Sequence, residues 1–269
     1  MFEHCSLCFR VRMTAALKRR HLQETVVLDD DTDTMISLVG RRVIPILVKD
    51  DGEPMLESMD MVKHIEAMGE PVLTGPERPE IADWAEGFVS KAAPLTMPRY
   101  PLLGLPEFAT VAALDHYTVR KRKLFGDLTE VRARTRQYIS QLMPDLEALD
   151  RMIGSPNAVN GSLSIDDVRV LPLLRSAAVV QGLRFPDRVR TYFETMMART
   201  GYRPLPQFRE KRGGVLAFIL AQSIGLLNGC SVAAPRILFD ERVSSAEQGL
   251  ILLRFCAQQK APAECRPGR

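Results

Sequence analysis

The feature that most constrains the fold is a change in the hydrophobic pattern near Pro79. Before this residue, short apolar runs alternate with short stretches of helical period. After it, the helical period continues almost without interruption to Arg199, which is typical of packed helices. The pattern predicts two units, an α/β N-terminal domain followed by an all-α C-terminal domain.

The α/β part has the predicted order α-β-α-β-β-α. Its elements are a helix that begins at the first two cysteines and ends near Leu17, a strand over Thr25–Leu28, a helix over Met35–Leu38 that ends at Gly40, a hairpin of strands 43–48 and 54–56, and a helix over Ser58–Met68. Asp50-Asp51-Gly52 supplies the turn of the hairpin.

The second part is predicted to be helical throughout. Its helices are Glu80–Lys91, Pro106–Phe125, Leu128–Ile153, Ser164–Leu183 and Pro186–Arg199. The predicted limits are residues 1–70 for the first domain, 71–78 for a linker rich in proline and glycine, and 79–205 for the helical domain. Residues 206–269 form a C-terminal extension to which the pattern assigns no architecture.

Charge and apolar runs narrow the class of partner. The 36 basic and 33 acidic side chains give a net charge of +3, which favours neither nucleic acid nor an anionic membrane. The longest apolar run, Val215–Leu227, is shorter than the roughly 20 apolar residues that a bilayer span needs. We expect a soluble chain with no membrane or nucleic-acid partner, which binds small molecules or proteins.

Cysteine usage indicates the compartment. Five cysteines, an odd number spread thinly along the chain, do not form the disulfide framework of a secreted domain. The first residues, Met-Phe-Glu-His-Cys, show no secretory signal. We therefore expect a reducing compartment, the cytoplasm.

Cys5 and Cys8 form a Cys-x-x-Cys motif at the start of the first helix. A cysteine there is favoured as the thiolate, because unpaired backbone N–H groups and the helix dipole stabilise negative charge. Cys8 lies on the same helical face and can reach Cys5 to resolve a mixed disulfide. The alternatives are two cysteines that only pack, or a zinc site, which would need a second pair of ligands. His4 favours the Cys5 thiolate if it is protonated, or is an exposed histidine without a role.

Two later features fit the same chemistry. A cis Ile44-Pro45 bond at the start of a strand would leave the Ile44 backbone free to bond an extended thiol substrate; the alternative is an ordinary edge-strand proline. Glu57-Ser58 opens the following helix, where a hydroxyl and bare amides suit a carboxylate. The alternative there is a simple cap made by Ser58 or Asp60.

Several motifs in one order resemble the bacterial glutaredoxin 2 family, which comprises two-domain glutaredoxins with a glutathione-transferase-like fold. The motifs are HCSLC, VGRRVIPIL, ESMDMV, PVLTG, PNAVNGSLSIDDV and VLPLLR, and the resemblance covers about residues 2–200. It implies a thioredoxin-like N-terminal domain that binds glutathione, packed against an all-α glutathione-transferase-like C-terminal domain.

The resemblance also implies an activity and a site. The chain is expected to reduce disulfide-bonded or glutathionylated proteins as a monomer, with glutathione as co-substrate and no metal. Cys5 matches the nucleophile and Cys8 the resolving thiol. Ile44 and Pro45 match the pair that bonds the glutathione cysteinyl backbone, and Glu57 with Ser58 match the pair that holds its γ-glutamyl end. Ser164 and Asp167 match the capping box of a central helix.

The sequence departs from the family pattern in three places. Val43 stands where the family commonly has a polar residue near the glutathione backbone, so one hydrogen bond to glutathione is expected to be missing. Ser6 and Leu7 replace the usual proline and tyrosine of Cys-Pro-Tyr-Cys, which should change the redox poise more than the reaction type. The fold also needs a central strand of about five residues before the motif, so the first strand looks truncated. We expect an upstream start, another segment in that place, or impaired function. The competing functions are a glutathione transferase and a non-catalytic binding protein.

Overall fold

The computed structural model describes residues 1–207 and the backbone of residues 253–255. The first part consists of α1 (Ser6–Leu17), β1 (Leu22–Gln23), α2 (Thr32–Val39), β2 (Leu47–Val48), β3 (Pro54–Met55) and α3 (Ser58–Glu66). This order confirms the predicted α-β-α-β-β-α arrangement. The predicted end of the second helix is also confirmed, because Gly40 is its C-cap and adopts the left-handed conformation, with φ 73°.

The sheet contains a strand from the C-terminal extension. Its order is β1-β4-β2-β3, where β4 is Leu253–Phe255. β2 and β3 form the predicted antiparallel hairpin, with Leu47 opposite Met55. β4 is antiparallel to β1 and parallel to β2. A segment remote in sequence therefore lies between β1 and β2, where a central strand was expected.

The prediction of a strand over Thr25–Leu28 is wrong. The second element is the strand β1, which lies upstream at Leu22–Gln23. Val27 is nevertheless 1% exposed, so the apolar run marks a buried segment and not a sheet strand. The backbone of this segment bonds outside the sheet, since the Asp29 N–H donates to the Glu107 carbonyl at 2.9 Å.

The second part is helical, as predicted, but it is divided more finely. It comprises α4 (Pro79–Thr96), 3-10 turns at Tyr100–Leu102 and Pro106–Phe108, α5 (Val111–Phe125), α6 (Leu128–Ala133), α7 (Thr135–Met152), α8 (Ile165–Ala177) and α9 (Asp187–Thr200). The helix predicted over Pro106–Phe125 breaks because the Thr110 side chain caps α5, accepting from the Ala113 N–H at 3.1 Å. The helix predicted over Leu128–Ile153 breaks at Arg134.

Helix α8 starts at the predicted capping box. The Ser164 hydroxyl accepts from the Asp166 N–H, and the Asp167 carboxylate accepts from the Ser164 N–H at 2.8 Å. Asp167 also accepts from the Val159 N–H at 2.8 Å and from the Tyr192 hydroxyl at 2.9 Å. The box therefore connects the start of α8 to the preceding loop and to α9.

Helix α1 lies between two apolar cores and is buried on both sides. Cys8, Val11 and Ala15 pack in the core beneath the sheet. Phe9 and Met13 pack in the larger core of the helical part. This double burial fixes the axis of α1, and with it the position of Cys5 at its N-terminus. Of the sequence's five cysteines, Cys230, Cys256 and Cys265 lie outside the described residues.

Candidate active site

Cys5 is the N-cap residue of α1. Its backbone is extended, with φ −75° and ψ 118°, and its Sγ accepts from the Cys8 backbone N–H at 3.5 Å. Both thiols are free, Cys5 partly exposed and Cys8 fully buried. The helix end that leaves N–H groups without helical partners therefore directs one of them at the more accessible sulfur.

The pKa values of the two thiols are shifted in opposite directions. The pKa of Cys5 is lowered to about 6, and the largest cause is a hydrogen bond from the Cys8 thiol. The charge of His4 and the backbone N–H groups of Cys8 and Leu7 lower this pKa further, whereas burial raises it. Burial raises the pKa of Cys8 well above its ordinary value, and the hydrogen bond to Cys5 raises it further. At neutral pH the pair therefore consists of a Cys5 thiolate and a Cys8 thiol.

Ile44 and Pro45 lie next to the strand β2. Their peptide bond is cis, which is the condition under which the Ile44 backbone was expected to be free for a substrate, and one residue separates it from the start of β2. Ile44 and Cys5 both pack against the apolar core that contains Leu47. The two features thus border the same apolar core, while the backbone contact of Ile44 with glutathione stays a prediction.

Glu57 and Ser58 lie at the start of α3. The alternative in which Ser58 or Asp60 caps this helix is wrong, because Glu57 is the N-cap residue and the cap has no side-chain hydrogen bond. The Glu57 side chain is 74% exposed and lies 3.8 Å from the Arg41 guanidinium. Ser58 is buried, with its hydroxyl accepting from Arg10 Nη1 at 3.4 Å. The first turn of α3 therefore retains N–H groups without a side-chain cap.

Arg10 is a site residue that the sequence interpretation missed. Its guanidinium connects α1 to Ser58, and its buried Nε has no hydrogen-bond partner among the described residues. Burial lowers the pKa of Arg10, and the neighbouring Arg169 lowers it further, but the group stays cationic at neutral pH. The only signal in the sequence was a basic side chain within a largely apolar helix.

His4 lies directly before Cys5 and is bound by a residue of the helical part. Its Nδ1 is 2.6 Å from Glu107 Oε1, and its backbone N–H donates to the same oxygen at 2.9 Å. The side chain is only 12% exposed, so the interpretation of His4 as an exposed histidine is wrong. No local pattern pointed to Glu107, which is separated from His4 by 103 positions.

Neither a metal centre nor a membrane span is found in the part of the chain that the structure describes. Residues 1–207 hold no group of three His, Cys, Asp or Glu side chains arranged to bind a metal. Within the same residues no helix is both long and apolar enough to cross a bilayer.

Comparisons with known proteins agree with this geometry. Residues 80–208 match the family "Glutaredoxin 2, C terminal domain", and residues 4–68 match "Glutathione S-transferase, N-terminal domain". Glutaredoxin 2 of Escherichia coli K12 is 37% identical over 201 residues, which cover 74% of this chain and 94% of that protein.

A solved structure extends the match to three dimensions. Glutaredoxin 2 of Salmonella typhimurium, in complex with glutathione, is 34% identical with a TM-score of 0.73 and covers 76% of this chain and 94% of that one. The alignment to both relatives spans nearly their whole length. The chain belongs to the glutaredoxin 2 family.

Proposed function

We propose that this chain is a glutathione-dependent thiol-disulfide oxidoreductase in which Cys5 is the nucleophile and Cys8 the resolving thiol. The observation that carries the proposal is the opposite ionisation of the two sulfurs, with the pKa of Cys5 lowered to about 6 and that of Cys8 raised. Only the thiolate attacks a disulfide, so the partly exposed Cys5 reacts first.

With a glutathionylated protein, the Cys5 thiolate attacks the glutathione sulfur. A Cys5–glutathione disulfide forms and the protein cysteine leaves as a thiolate, which takes a proton from solvent. The thiolate of a second glutathione then attacks the glutathione sulfur of this mixed disulfide. Oxidised glutathione leaves, and Cys5 is again a thiolate.

With a protein disulfide, the mixed disulfide is formed between Cys5 and one cysteine of the substrate. Cys8 then attacks the Cys5 sulfur, and its proton is transferred to the departing substrate thiolate. The substrate leaves with two thiols, and the enzyme holds a Cys5–Cys8 disulfide. Two glutathione molecules reduce this disulfide and leave as oxidised glutathione.

Glutathione is proposed to lie along Ile44-Pro45 and to reach the start of α3. The Ile44 backbone would pair with the cysteinyl unit, next to the core against which Cys5 packs. The γ-glutamyl end carries both an ammonium and a carboxylate. The exposed Glu57 carboxylate suits the ammonium, while Ser58, with the uncapped turn of α3 and the Arg10 cation, suits the carboxylate.

The test measures reduction of hydroxyethyl disulfide by glutathione. Cys5→Ser should abolish exchange, because it removes the attacking sulfur, whereas Cys8→Ser should retain the reduction of glutathionylated substrates, which glutathione itself completes. Full activity of Cys5→Ser would refute the proposal. If Cys5→Ser is inactive in exchange but the chain conjugates glutathione to chlorodinitrobenzene at an enzymatic rate, the transferase function replaces it.

The finer features of the function are part of the same proposal. Its protein substrates are disulfide-bonded or glutathionylated proteins, and it acts as a monomer in the cytoplasm, where glutathione keeps both thiols reduced. The proposed domain limits are residues 1–70 and 79–205, joined by 71–78. They are supported by the change from mixed to purely helical structure between α3 and α4.

A further inference from the structure

Glu107 is a buried carboxylate from the helical part that reaches the active-site motif. It lies in the 3-10 turn Pro106–Phe108 and is 0% exposed. One oxygen, Oε1, contacts both the Nδ1 and the backbone N–H of His4, at 2.6 and 2.9 Å. The other, Oε2, is buried and has no hydrogen-bond partner among the described residues.

Aromatic rings fix the orientation of His4. Its ring centroid lies 4.5 Å from that of Tyr100, 5.3 Å from Phe108, 5.6 Å from Phe2 and 5.7 Å from Tyr117. Three of these rings belong to the helical part. The imidazole is thus held by both parts of the molecule, directly before the reactive sulfur.

A buried carboxylate requires a counter-charge, because taking an unpaired anion out of water is costly. Burial raises the pKa of Glu107, but the hydrogen bonds and charge of His4 outweigh it, and the net direction is downward. The Glu107 carboxylate therefore lies on His4 Nδ1, where it is placed to be the counter-ion of a protonated imidazole. That cation is one of the groups that lower the pKa of Cys5.

Other charged or titratable groups also face this pair or the Cys5 sulfur. They are Cys8, Arg10, Tyr100, Tyr117, Lys121 and the Met1 amino group. Among these groups and the carboxylates of residues 1–207, Glu107 alone has a hydrogen bond to the His4 ring.

We propose that Glu107 is a positioning residue of the active site, which holds the His4 imidazolium beside Cys5 and so sets the fraction of Cys5 present as thiolate. The proposal rests on the proposed role of Cys5 as nucleophile. It makes the helical part a contributor to the chemistry and not only a scaffold for the first domain.

The test is the pH dependence of Cys5 alkylation by iodoacetamide in the full chain, followed on the peptide that contains Cys5 by mass spectrometry. Glu107→Gln keeps the shape of the side chain and removes its charge. The midpoint of alkylation should rise by up to about one pH unit, the lower end of the effect of a nearby opposite charge. Glu107→Asp keeps the charge, so its midpoint should rise less than that of Glu107→Gln.

Asp29 offers a matched control. It is as fully buried as Glu107, and its backbone N–H donates to the Glu107 carbonyl, so both carboxylates lie where the first part of the chain meets the helical part. Its side chain, however, binds Arg120 at 2.6 Å and His116 at 2.9 Å instead of His4. Asp29→Asn should lower the melting temperature and leave the Cys5 midpoint unchanged. An equal shift in Asp29→Asn would show that Glu107 acts only through the packing of the junction and would overturn the proposal.

A second comparison keeps the test decisive if Glu107→Gln folds poorly. His4→Phe with Glu107→Leu replaces the buried pair by apolar groups, which proteins often tolerate. If Glu107 acts through His4, the midpoint of this double variant equals that of His4→Phe alone. An unchanged midpoint in Glu107→Gln overturns the proposal, while activity that survives Cys5→Ser overturns the proposed function instead.

Discussion

Removing the Cys8 thiol should raise the pKa of Cys5, and this effect can be measured separately from any resolving step. The hydrogen bond from that thiol is the largest cause that lowers the pKa of Cys5 from 9.0 to about 6. With a pKa near 6, about 90% of Cys5 is thiolate at pH 7, against about 1% at the ordinary value. The variants compared are Cys8→Ala, which deletes the donor, and Cys8→Ser, which keeps a hydroxyl donor at the same place.

The expected size follows from the strength of this contact. A hydrogen bond to a charged group contributes about 1.5–3 kcal/mol, and one pKa unit corresponds to about 1.4 kcal/mol. Cys8→Ala should therefore raise the pKa of Cys5 by about one to two units, and the thiolate at pH 7 should fall to between about 50% and 10%. Cys8→Ser should show a clearly smaller shift.

The assay is the rate of Cys5 alkylation by iodoacetamide between pH 4.5 and 9.5, read on the Cys5 peptide so that the other cysteines do not contribute. The wild-type rate should rise around pH 6 and reach a plateau by about pH 7. A Cys8→Ala midpoint that stays near pH 6 would contradict the assignment of the Cys8 thiol as the donor. An equal shift in Cys8→Ser would show that geometry, and not the hydrogen bond, sets the ionisation.

Arg10→Gln should raise the KM for glutathione several-fold with little change in kcat, because it removes the cation next to Ser58. The control is Arg20→Gln, which removes an exposed cation that donates to the Met68 carbonyl. Equal kinetics of the two variants in the hydroxyethyl disulfide assay would contradict the prediction. Ser164→Ala should cost about 1 kcal/mol by removing the cap of α8, which lowers Tm by about 2–4 °C in calorimetry. Ser140→Ala, which removes an exposed hydroxyl within α7, should leave Tm nearly unchanged, and a loss of equal size would count against the cap.

Local chemistry explains which features the sequence could predict. The start of α1 at the cysteines, the hairpin of β2 and β3, and the capping box at Ser164 each depend on residues within a few positions of one another. The strand predicted over Thr25–Leu28 failed because an apolar run reports burial, and Val27 is buried without pairing in the sheet.

Contacts between segments that are distant in the chain could not be predicted from the sequence. Glu107 reaches His4 across 103 positions, and β4 reaches β1 and β2 from the C-terminal extension. Neither pairing leaves a periodic pattern, because each depends on how the two parts pack and not on local propensity. The resemblance to a family named Cys5 and Cys8 as the expected reactive sulfurs, but it did not reveal Glu107, the carboxylate that binds the neighbouring His4.

In the proposed mechanism, the ionisation of the two sulfurs also sets the order of the two attacks. Burial raises the pKa of Cys8 first, and the hydrogen bond to Cys5 and the charge of its thiolate raise it further. When Cys5 enters a mixed disulfide, its negative charge disappears, so of the three causes that raise the pKa of Cys8 only burial remains, while the Phe2 backbone N–H still lowers it. Cys8 therefore becomes a stronger acid at the moment when its attack is required, and stays protonated while Cys5 is free. In the proposed mechanism, this coupling keeps the buried thiol protonated until Cys5 has made the first attack.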